Sequence, residues 1–95
     1  MHFAIVAYDK PNGLAYRMEV RPDHLKHLES LGDQLVLAGP FLDAKGDMVG
    51  SFMVIEAASQ EEAEATFRRD PFVARGVFDS ITIKPYRIGI NNTKK

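Results

Sequence analysis

The sequence contains no cysteine and no tryptophan among its 95 residues. The lack of cysteine excludes disulfide bonds, thiolate metal ligands and cysteine nucleophiles, and it is consistent with a cytoplasmic protein. Lysine and arginine together number 12, against 13 aspartates and glutamates, so the formal net charge is −1. Because no basic excess is available to neutralise phosphates, the composition argues against a nucleic-acid partner.

Long apolar runs are missing as well. The longest ones are far shorter than the roughly 20 residues of a membrane-spanning helix; they are Phe3–Tyr8, Leu35–Ala38 and Phe52–Ile55. No charged segment followed by a long apolar stretch begins at Met1, so we expect neither a secretory signal nor a membrane partner. No repeat or Pro/Gly/Ser-rich linker divides the chain, which predicts one domain over residues 1–90 and a polar tail over 91–95.

Short apolar runs alternate with helical patterns along the rest of the chain. Four runs bounded by turn-forming residues are predicted as strands: Phe3–Tyr8, Leu35–Leu42, Met48–Ala57 and Val77–Ile88. Between the first two, Leu14 and Met18 indicate a short helix, and Pro22 predicts a kink followed by the main helix. The apolar face of that helix is assigned to Leu25, Leu28 and Leu31.

A second helix is predicted after the hairpin that joins the middle strands. Ser59 with Glu62 three residues later fits a capping box, so the helix begins there. It ends before Asp70-Pro71, because the residue that precedes a proline disfavours the α conformation. Pro85 lies inside the last strand, which places that strand at a sheet edge or a bulge.

The resulting order is β-α-β-β-α-β, the ferredoxin-like α+β arrangement of four antiparallel strands with both helices on one face of the sheet. A sheet with one face in water alternates apolar and polar residues, but these strands are apolar at both odd and even positions. Two helices cover only one face. We therefore predict a homodimer in which a second copy of the chain covers the other face.

His24 is the conspicuous polar residue on the main helix, about 40° from the centre of the leucine stripe. This position is compatible with a hydrogen-bonded core histidine and with a catalytic one. Asp70 is the first candidate partner, with Asp9 and Asp79 as rivals. Asp70 before Pro71 is also a good N-cap for a short turn, and the two roles are compatible. A carboxylate beside an inward histidine is the arrangement of a general base.

The chain resembles the YciI-like (YCII domain) family over nearly its whole length, up to about Arg87. The resemblance is carried by the following segments, in this order: Arg17-x3-Arg21-Pro22-x-His24-Leu25, Ala38-Gly39-Pro40, Gly50-Ser51, Asp70-Pro71-Phe72-Val73-Ala74-x-Gly76-Val77-Phe78 and Lys84-Pro85-Tyr86. It implies a dimeric α+β barrel, in agreement with the burial argument. It also implies that His24 and Asp70 match the family's active-site histidine and aspartate, with Ser51 as a secondary polar position.

One relative within this family is a dehydrochlorinase of chlorinated hydroquinones, and other dimeric α+β barrels are isomerases or cofactor-independent oxygenases. The resemblance therefore implies that His24, oriented by Asp70, removes a proton from a small cyclic or aromatic acid or phenol, with elimination or isomerisation following. Such chemistry requires no cofactor if the substrate stabilises its own anion. Arg17 and Arg21 are candidates to hold that anion, or are solvated cations on the helix surface.

Two alternatives accompany this hypothesis. His24 and His27 are three residues apart, but their directions differ by about 60° and no inward carboxylate joins them, so we expect no metal site. The protein is also compatible with a non-catalytic homodimeric module that binds a small acidic or aromatic metabolite. A catalytic His24 predicts that His24→Ala retains or slightly gains stability. A structural His24 predicts a loss of about 1–3 kcal/mol.

Overall fold

The computed structural model describes residues 1–93; the last two residues of the predicted tail lie outside this range. The predicted α+β class and element order are confirmed, with one short helix added before the last strand. The strands are β1 (His2–Asp9), β2 (Leu35–Leu42), β3 (Met48–Glu56) and β4 (Phe78–Tyr86); the helices are α1 (Leu14–Ser30), α2 (Gln60–Arg68) and α3 (Pro71–Ala74). A single 3₁₀ turn, Gly32–Gln34, leads from α1 into β2.

The four strands form one antiparallel sheet in the order β2-β3-β1-β4. The two edge strands each contain a proline, Pro40 in β2 and Pro85 in β4. A proline has no N–H to donate to a neighbouring strand, so an edge position costs the sheet least. The predicted edge position of Pro85 is confirmed.

One face of the sheet carries the hydrophobic core. Phe3 lies opposite Ile55, and Ile5 lies opposite Met53, so these four side chains share a face. Helices α1, α2 and α3 pack on this face with buried apolar residues, which are Val20, Leu28, Ala63, Phe67 and Phe72. The same pairing places Ser51 opposite Ala7, at the end of this face that also becomes the floor of a cavity.

Helix α1 is continuous through Pro22, so the prediction of two separate helices that meet at Arg21-Pro22 is wrong. Proline inside a helix removes one hydrogen bond and costs about 3 kcal/mol. The carbonyl that loses its donor belongs to Met18, a residue on the exposed side of the helix. Val20 before the proline and His24 after it are buried on the same face, and a break between them would expose one of the two.

The buried face of α1 also differs from the predicted leucine stripe. Its buried residues are Arg17, Val20, His24 and Leu28. Leu25 remains 43% exposed and Met18 remains 45% exposed. The helix is rotated relative to the predicted orientation, because Arg17 hydrogen-bonds to residues of the sheet and His24 to Asp70 at the start of α3. The pattern of apolar residues does not reveal these partners.

The opposite face of the sheet carries aromatic side chains without a helix above them. Tyr8 and Phe41 stack with ring centroids 5.4 Å apart, and Phe52 lies 6.3 Å from Phe41. Gly50 lies between Tyr8 and Phe41 in the register, and a Cβ there would be 2.5 Å from the Ala7 carbonyl oxygen. Glycine is therefore needed where the two rings approach the backbone. In the single chain this face stays open, and Tyr8 is 50% exposed.

The two shorter helices begin as the sequence predicts. Ser59 caps α2 by accepting a hydrogen bond from the N–H of Glu62 at 3.1 Å. Helix α3 is attached to α1 at its far end, where the Tyr16 hydroxyl donates to the Arg75 carbonyl and Arg75 forms an ion pair with Asp23, both at 2.7 Å. None of the helices within residues 1–93 combines the length and apolar character required for a membrane span.

Candidate active site

A histidine and an aspartate meet where α1 packs on α3. The Nδ1 atom of His24 lies 2.9 Å from both carboxylate oxygens of Asp70. Asp70 has no solvent exposure, and His24 is 7% exposed. Because a carboxylate only accepts hydrogen bonds, Nδ1 is the donor, and in the neutral imidazole the lone pair is then on Nε2. This is the tautomer in which Nε2 can accept a proton.

Asp70 has both of the roles considered from the sequence. Its Oδ1 accepts the Phe72 backbone N–H at 2.9 Å and so caps α3, while the same carboxylate accepts from His24. Its backbone is extended, with φ −65° and ψ 127°, as the following proline requires. The rival aspartates lie elsewhere: Asp9 pairs with Arg17, and Asp79 lines a different depression.

His24 lines the cavity described below, and because its Nδ1 is turned toward Asp70, Nε2 is the ring nitrogen left on the cavity side. Within residues 1–93, Nε2 makes no hydrogen bond, and it is not among the buried polar atoms that lack partners. It is therefore reached by solvent through the small exposed part of the ring. A ligand that enters the cavity meets this ring nitrogen, and Asp70 sets the orientation of the ring from behind.

Arg17 is a buried residue, so its reading as a solvated surface cation is wrong. Its Nη1 donates to Asp9 Oδ1 and its Nη2 donates to Ser51 Oγ, both at 2.7 Å. The side chains of Arg17 and Asp9 are only 3% and 5% exposed. A buried guanidinium needs a paired carboxylate to offset its desolvation, and Asp9 supplies that charge. Arg17 thereby fixes the hydroxyl of Ser51 at the cavity floor.

The cavity beside His24 has a volume of about 120 Å³. For comparison, an apolar cavity of about 150 Å³ holds one benzene molecule. The walls come from α1 and from strands β2 and β3, and the lining residues are Arg17, Arg21, His24, Leu25, Leu28, Ala38, Gly39, Pro40, Met48, Ser51 and Met53. Four of the five predicted site residues line it, and the fifth, Asp70, lies behind His24.

The charge of this lining is positive. It includes two arginines and one histidine but no carboxylate. Arg17 is balanced by Asp9 and His24 faces Asp70, whereas Arg21 has no carboxylate within 4 Å in the described part of the chain. Arg21 is therefore the cation that a small anionic ligand would neutralise.

Two further depressions lie elsewhere on the surface. One of about 500 Å³ is bordered by the loop after β1 and by the β2–β3 hairpin, and it contains none of the five predicted residues. The other, of about 560 Å³, lies at the chain start beside Tyr86. Across residues 1–93, no three histidine or carboxylate side chains come together in a geometry that would hold a metal ion.

Sequence reasoning missed two residues of the site. The first is Asp9, the last residue of β1. The sequence pattern indicates it only as a rival partner for His24, whereas in the structure it forms an ion pair with Arg17. Phe72 stacks on His24 with ring centroids 3.8 Å apart and an interplanar angle of 9°. Its position two residues after the N-cap Asp70 could have predicted this contact. The first turn of α3 must lie beside the residue that Asp70 contacts.

The fold and the site define a class of small ferredoxin-like α+β domains that hold a histidine–carboxylate pair beside a ring-sized cavity. Within that class, the chain belongs to the family of the YCII-related domain, whose model matches residues 1–87. The protein YciI of Escherichia coli is 37% identical to it over 95 residues, covering 92% of this chain and 97% of the relative.

Two solved structures and a fungal protein extend the comparison. A 5-chloro-2-hydroxyhydroquinone dehydrochlorinase from Burkholderia phenoliruptrix, in complex with 2,5-dihydroxybenzoquinone, superposes with a TM-score of 0.88 at 33% identity, covering 94% of this chain and 96% of the other. A benzaldehyde-derivative biosynthesis cluster protein of Emericella nidulans is 39% identical over 72 residues, covering 66% of this chain and 74% of its own. An antibiotic biosynthesis monooxygenase shares only the fold, with a TM-score of 0.56 at 10% identity and coverage of 93% and 100%.

Proposed function

We propose that the protein is a small cytoplasmic enzyme that uses His24 and Asp70 as a general acid–base pair on a small cyclic or aromatic acid or phenol. The single observation that carries the proposal is the contact of His24 Nδ1 with both oxygens of the fully buried Asp70, 2.9 Å each, at the wall of a ring-sized cavity. A carboxylate in this position favours the basic tautomer and stabilises the imidazolium that forms when Nε2 takes a proton.

Two donors in the cavity suit the anion that proton removal creates. The Ser51 oxygen accepts from Arg17, and its own O–H makes no hydrogen bond within residues 1–93, so it is free to donate to a ligand oxygen. Arg21 supplies the unbalanced positive charge. Because Arg17 has its two terminal nitrogens engaged, we assign it the role of holding Ser51 and of adding positive charge to the cavity wall, and we assign direct contact with the anion to Arg21.

The proposed reaction begins when His24 Nε2 removes a proton from the substrate. The electron pair left behind is delocalised over the ring and its oxygen, where Ser51 and Arg21 stabilise the charge. In an elimination, this pair forms a new double bond as an anionic leaving group departs, and the imidazolium later releases its proton to water. In an isomerisation, the imidazolium returns the proton at another ring position. Neither course consumes an oxidant or reductant.

The substrate class is supported by the cavity and by the relatives. The cavity approaches the size of one six-membered ring, and its lining includes apolar residues such as Leu28 and Met53. The similar dehydrochlorinase acts on a chlorinated hydroxyhydroquinone and holds a dihydroxybenzoquinone in its solved structure. We therefore propose an oxygen-bearing six-membered ring, anionic at neutral pH or after loss of one proton.

A panel of single-ring compounds tests this proposal. Acidic phenols, hydroxyquinones and ring carboxylates are expected to bind, while their methyl ethers and esters bind at least about tenfold more weakly for lack of negative charge. Arg21→Gln is expected to remove most of that difference, as measured by calorimetric titration. Arg68→Gln is the matched control, since it removes the same charge from an exposed site on α2. Equal binding of acids and ethers to the wild type would contradict the assigned class, and binding without turnover of any compound would favour the non-catalytic module.

We further propose that the protein is a homodimer through the open sheet face. On that face, Tyr8, Phe41 and Phe52 form an aromatic cluster, and Leu37 beside it is 39% exposed. Contiguous exposed apolar residues on a small protein mark an interaction surface. The cavity lies on the other side of the sheet, under α1, so a second copy covers the cluster without blocking the site.

The dimer proposal predicts a gel-filtration mass of two chains at micromolar concentration. Leu37→Asp is expected to shift the protein to the monomer, because it places an unpaired charge in the apolar contact. Met18→Asp is the control: it introduces the same charge at a similarly exposed position on α1, away from that face, and should leave the dimer intact. A wild-type protein that elutes as a monomer would refute the proposal.

A further inference from the structure

Phe72 contacts both His24 and Asp70. Its backbone N–H donates to Asp70 Oδ1 at 2.9 Å, and its ring stacks on the imidazole of His24, nearly parallel to it. The ring is fully buried. A single residue therefore contacts both members of the acid–base pair, one through its backbone and the other through its side chain.

The imidazole of His24 can turn about its Cβ–Cγ bond. Both carboxylate oxygens of Asp70 lie 2.9 Å from Nδ1 and hold the ring by that one atom. Rotation about Cβ–Cγ would carry Nδ1 out of alignment with Asp70 and turn Nε2 away from the cavity. A parallel ring 3.8 Å away opposes this rotation, because any tilt brings the two π faces into collision.

The ring of Phe72 is itself held from two other directions. The guanidinium carbon of Arg17 lies 4.6 Å from its centroid. Phe78 meets it edge-on, with centroids 5.6 Å apart and an interplanar angle of 82°. A ring fixed by a cation and by a perpendicular neighbour is a rigid reference plane for the imidazole.

We propose that Phe72 is a positioning residue that sets the plane of the His24 imidazole and thereby keeps Nε2 directed into the cavity in the basic tautomer. The role of that nitrogen in turnover rests on the proposed function, whereas the orientation and the tautomer do not. Phe72 acts through His24 and need not touch a substrate.

The chain provides a matched control in Phe67. Phe67 is 3% exposed and also packs on Phe78, at 5.9 Å, but its ring does not stack on His24. Its contact with Asp70 is through the backbone, where the Phe67 carbonyl accepts the Asp70 N–H at 3.0 Å, and a side-chain replacement leaves that bond in place. Replacing either phenylalanine with leucine removes a similar amount of buried aromatic surface. Any effect on His24 that appears in Phe72→Leu and not in Phe67→Leu is therefore not a general consequence of a loosened core.

The experiment measures the tautomer of His24 in the full chain from the ¹⁵N shifts of its ring nitrogens, at a pH at which those shifts report a neutral ring. The wild type is expected to show the Nδ1–H form. In Phe72→Leu the ratio of Nδ1–H to Nε2–H is expected to fall by about tenfold, because the freed ring leaves its alignment with Asp70. In Phe67→Leu the ratio should change by less than about twofold, because the ring of Phe67 packs on Phe78 and not on His24.

Phe72→Met provides a second variant, since its flexible thioether fills the volume without a plane. An unchanged ratio in a folded Phe72→Leu or Phe72→Met would overturn the inference, and so would a mixed tautomer in the wild type, which needs no variant at all. The experiment can fail for this inference without failing for the proposed function, and the reverse is also true. A lost tautomer preference with no substrate found leaves the inference standing, and turnover that depends on His24 in a protein with an unchanged ratio refutes only the inference.

Discussion

Replacing His24 with asparagine is expected to abolish the proposed turnover while the chain remains folded. The amide nitrogen of asparagine occupies roughly the position of imidazole Nδ1, so it still donates to Asp70, which has no solvent exposure. The variant has no counterpart of Nε2. Removal of a general base costs about 10²–10⁴-fold in rate. The measurement is turnover of any compound that the ring panel identifies, together with the free energy of unfolding in urea.

The comparison variant is His24→Ala, for which the structure changes the expectation. If His24 were catalytic alone, alanine would leave stability unchanged or slightly higher, but the structure shows that it also satisfies Asp70. Alanine leaves that buried carboxylate with only the Phe72 N–H, which costs about 1–3 kcal/mol. A stability loss in His24→Ala therefore does not distinguish a catalytic His24 from a structural one, and asparagine is the informative substitution.

His27→Asn serves as the control for the same chemical change on the same helix. The ring of His27 makes no hydrogen bond in the described residues, so activity and stability should both be retained. Turnover that survives in His24→Asn at more than about a tenth of the wild-type rate would exclude His24 as the base.

Replacing Asp70 separates its two roles. Asparagine is as good an N-cap as aspartate, so Asp70→Asn keeps the hydrogen bond from the Phe72 N–H. Its amide group presents donors to His24, which favours the tautomer with the proton on Nε2 and removes the base. Turnover is expected to fall by about 10²-fold or more. The loss of stability should be smaller than in Asp70→Ala, because the cap is kept.

Asp70→Ala removes the cap and the partner of His24 together. We expect a loss of about 2–3 kcal/mol, which lowers the melting temperature by roughly 10–20 °C in a domain of this size. Ser59→Ala is the control for capping, since Ser59 caps α2 on the exposed surface and touches neither site residue. It should cost about 1 kcal/mol and leave turnover unchanged. Equal turnover in the wild type and Asp70→Asn would contradict the assigned pair.

The candidate site was predictable from the sequence to an unequal degree. His24 was predicted to face inward because helical periodicity depends on spacing alone, and the error in the leucine stripe did not move it out of the buried face. Asp70 stood out because an aspartate before a proline has few conformations. Arg17 was the residue whose environment the pattern did not predict: a cation counts as polar in any periodicity, and only Asp9 and Ser51, from two different strands, explain its burial.

The sequence by itself determined the order of the elements, the hairpin, the caps at Ser59 and Asp70, and the edge position of Pro85, because each depends on residues within a few positions of one another. Only the tertiary structure decided that α1 continues through Pro22 and that Arg17 is buried beside Asp9. It also decided that Phe72 stacks on the imidazole of His24. The physical reason is that such features have a local cost, a lost helical hydrogen bond at Pro22 or a desolvated charge at Arg17. The contacts that offset this cost join residues far apart in the chain, so a local sequence pattern does not show them.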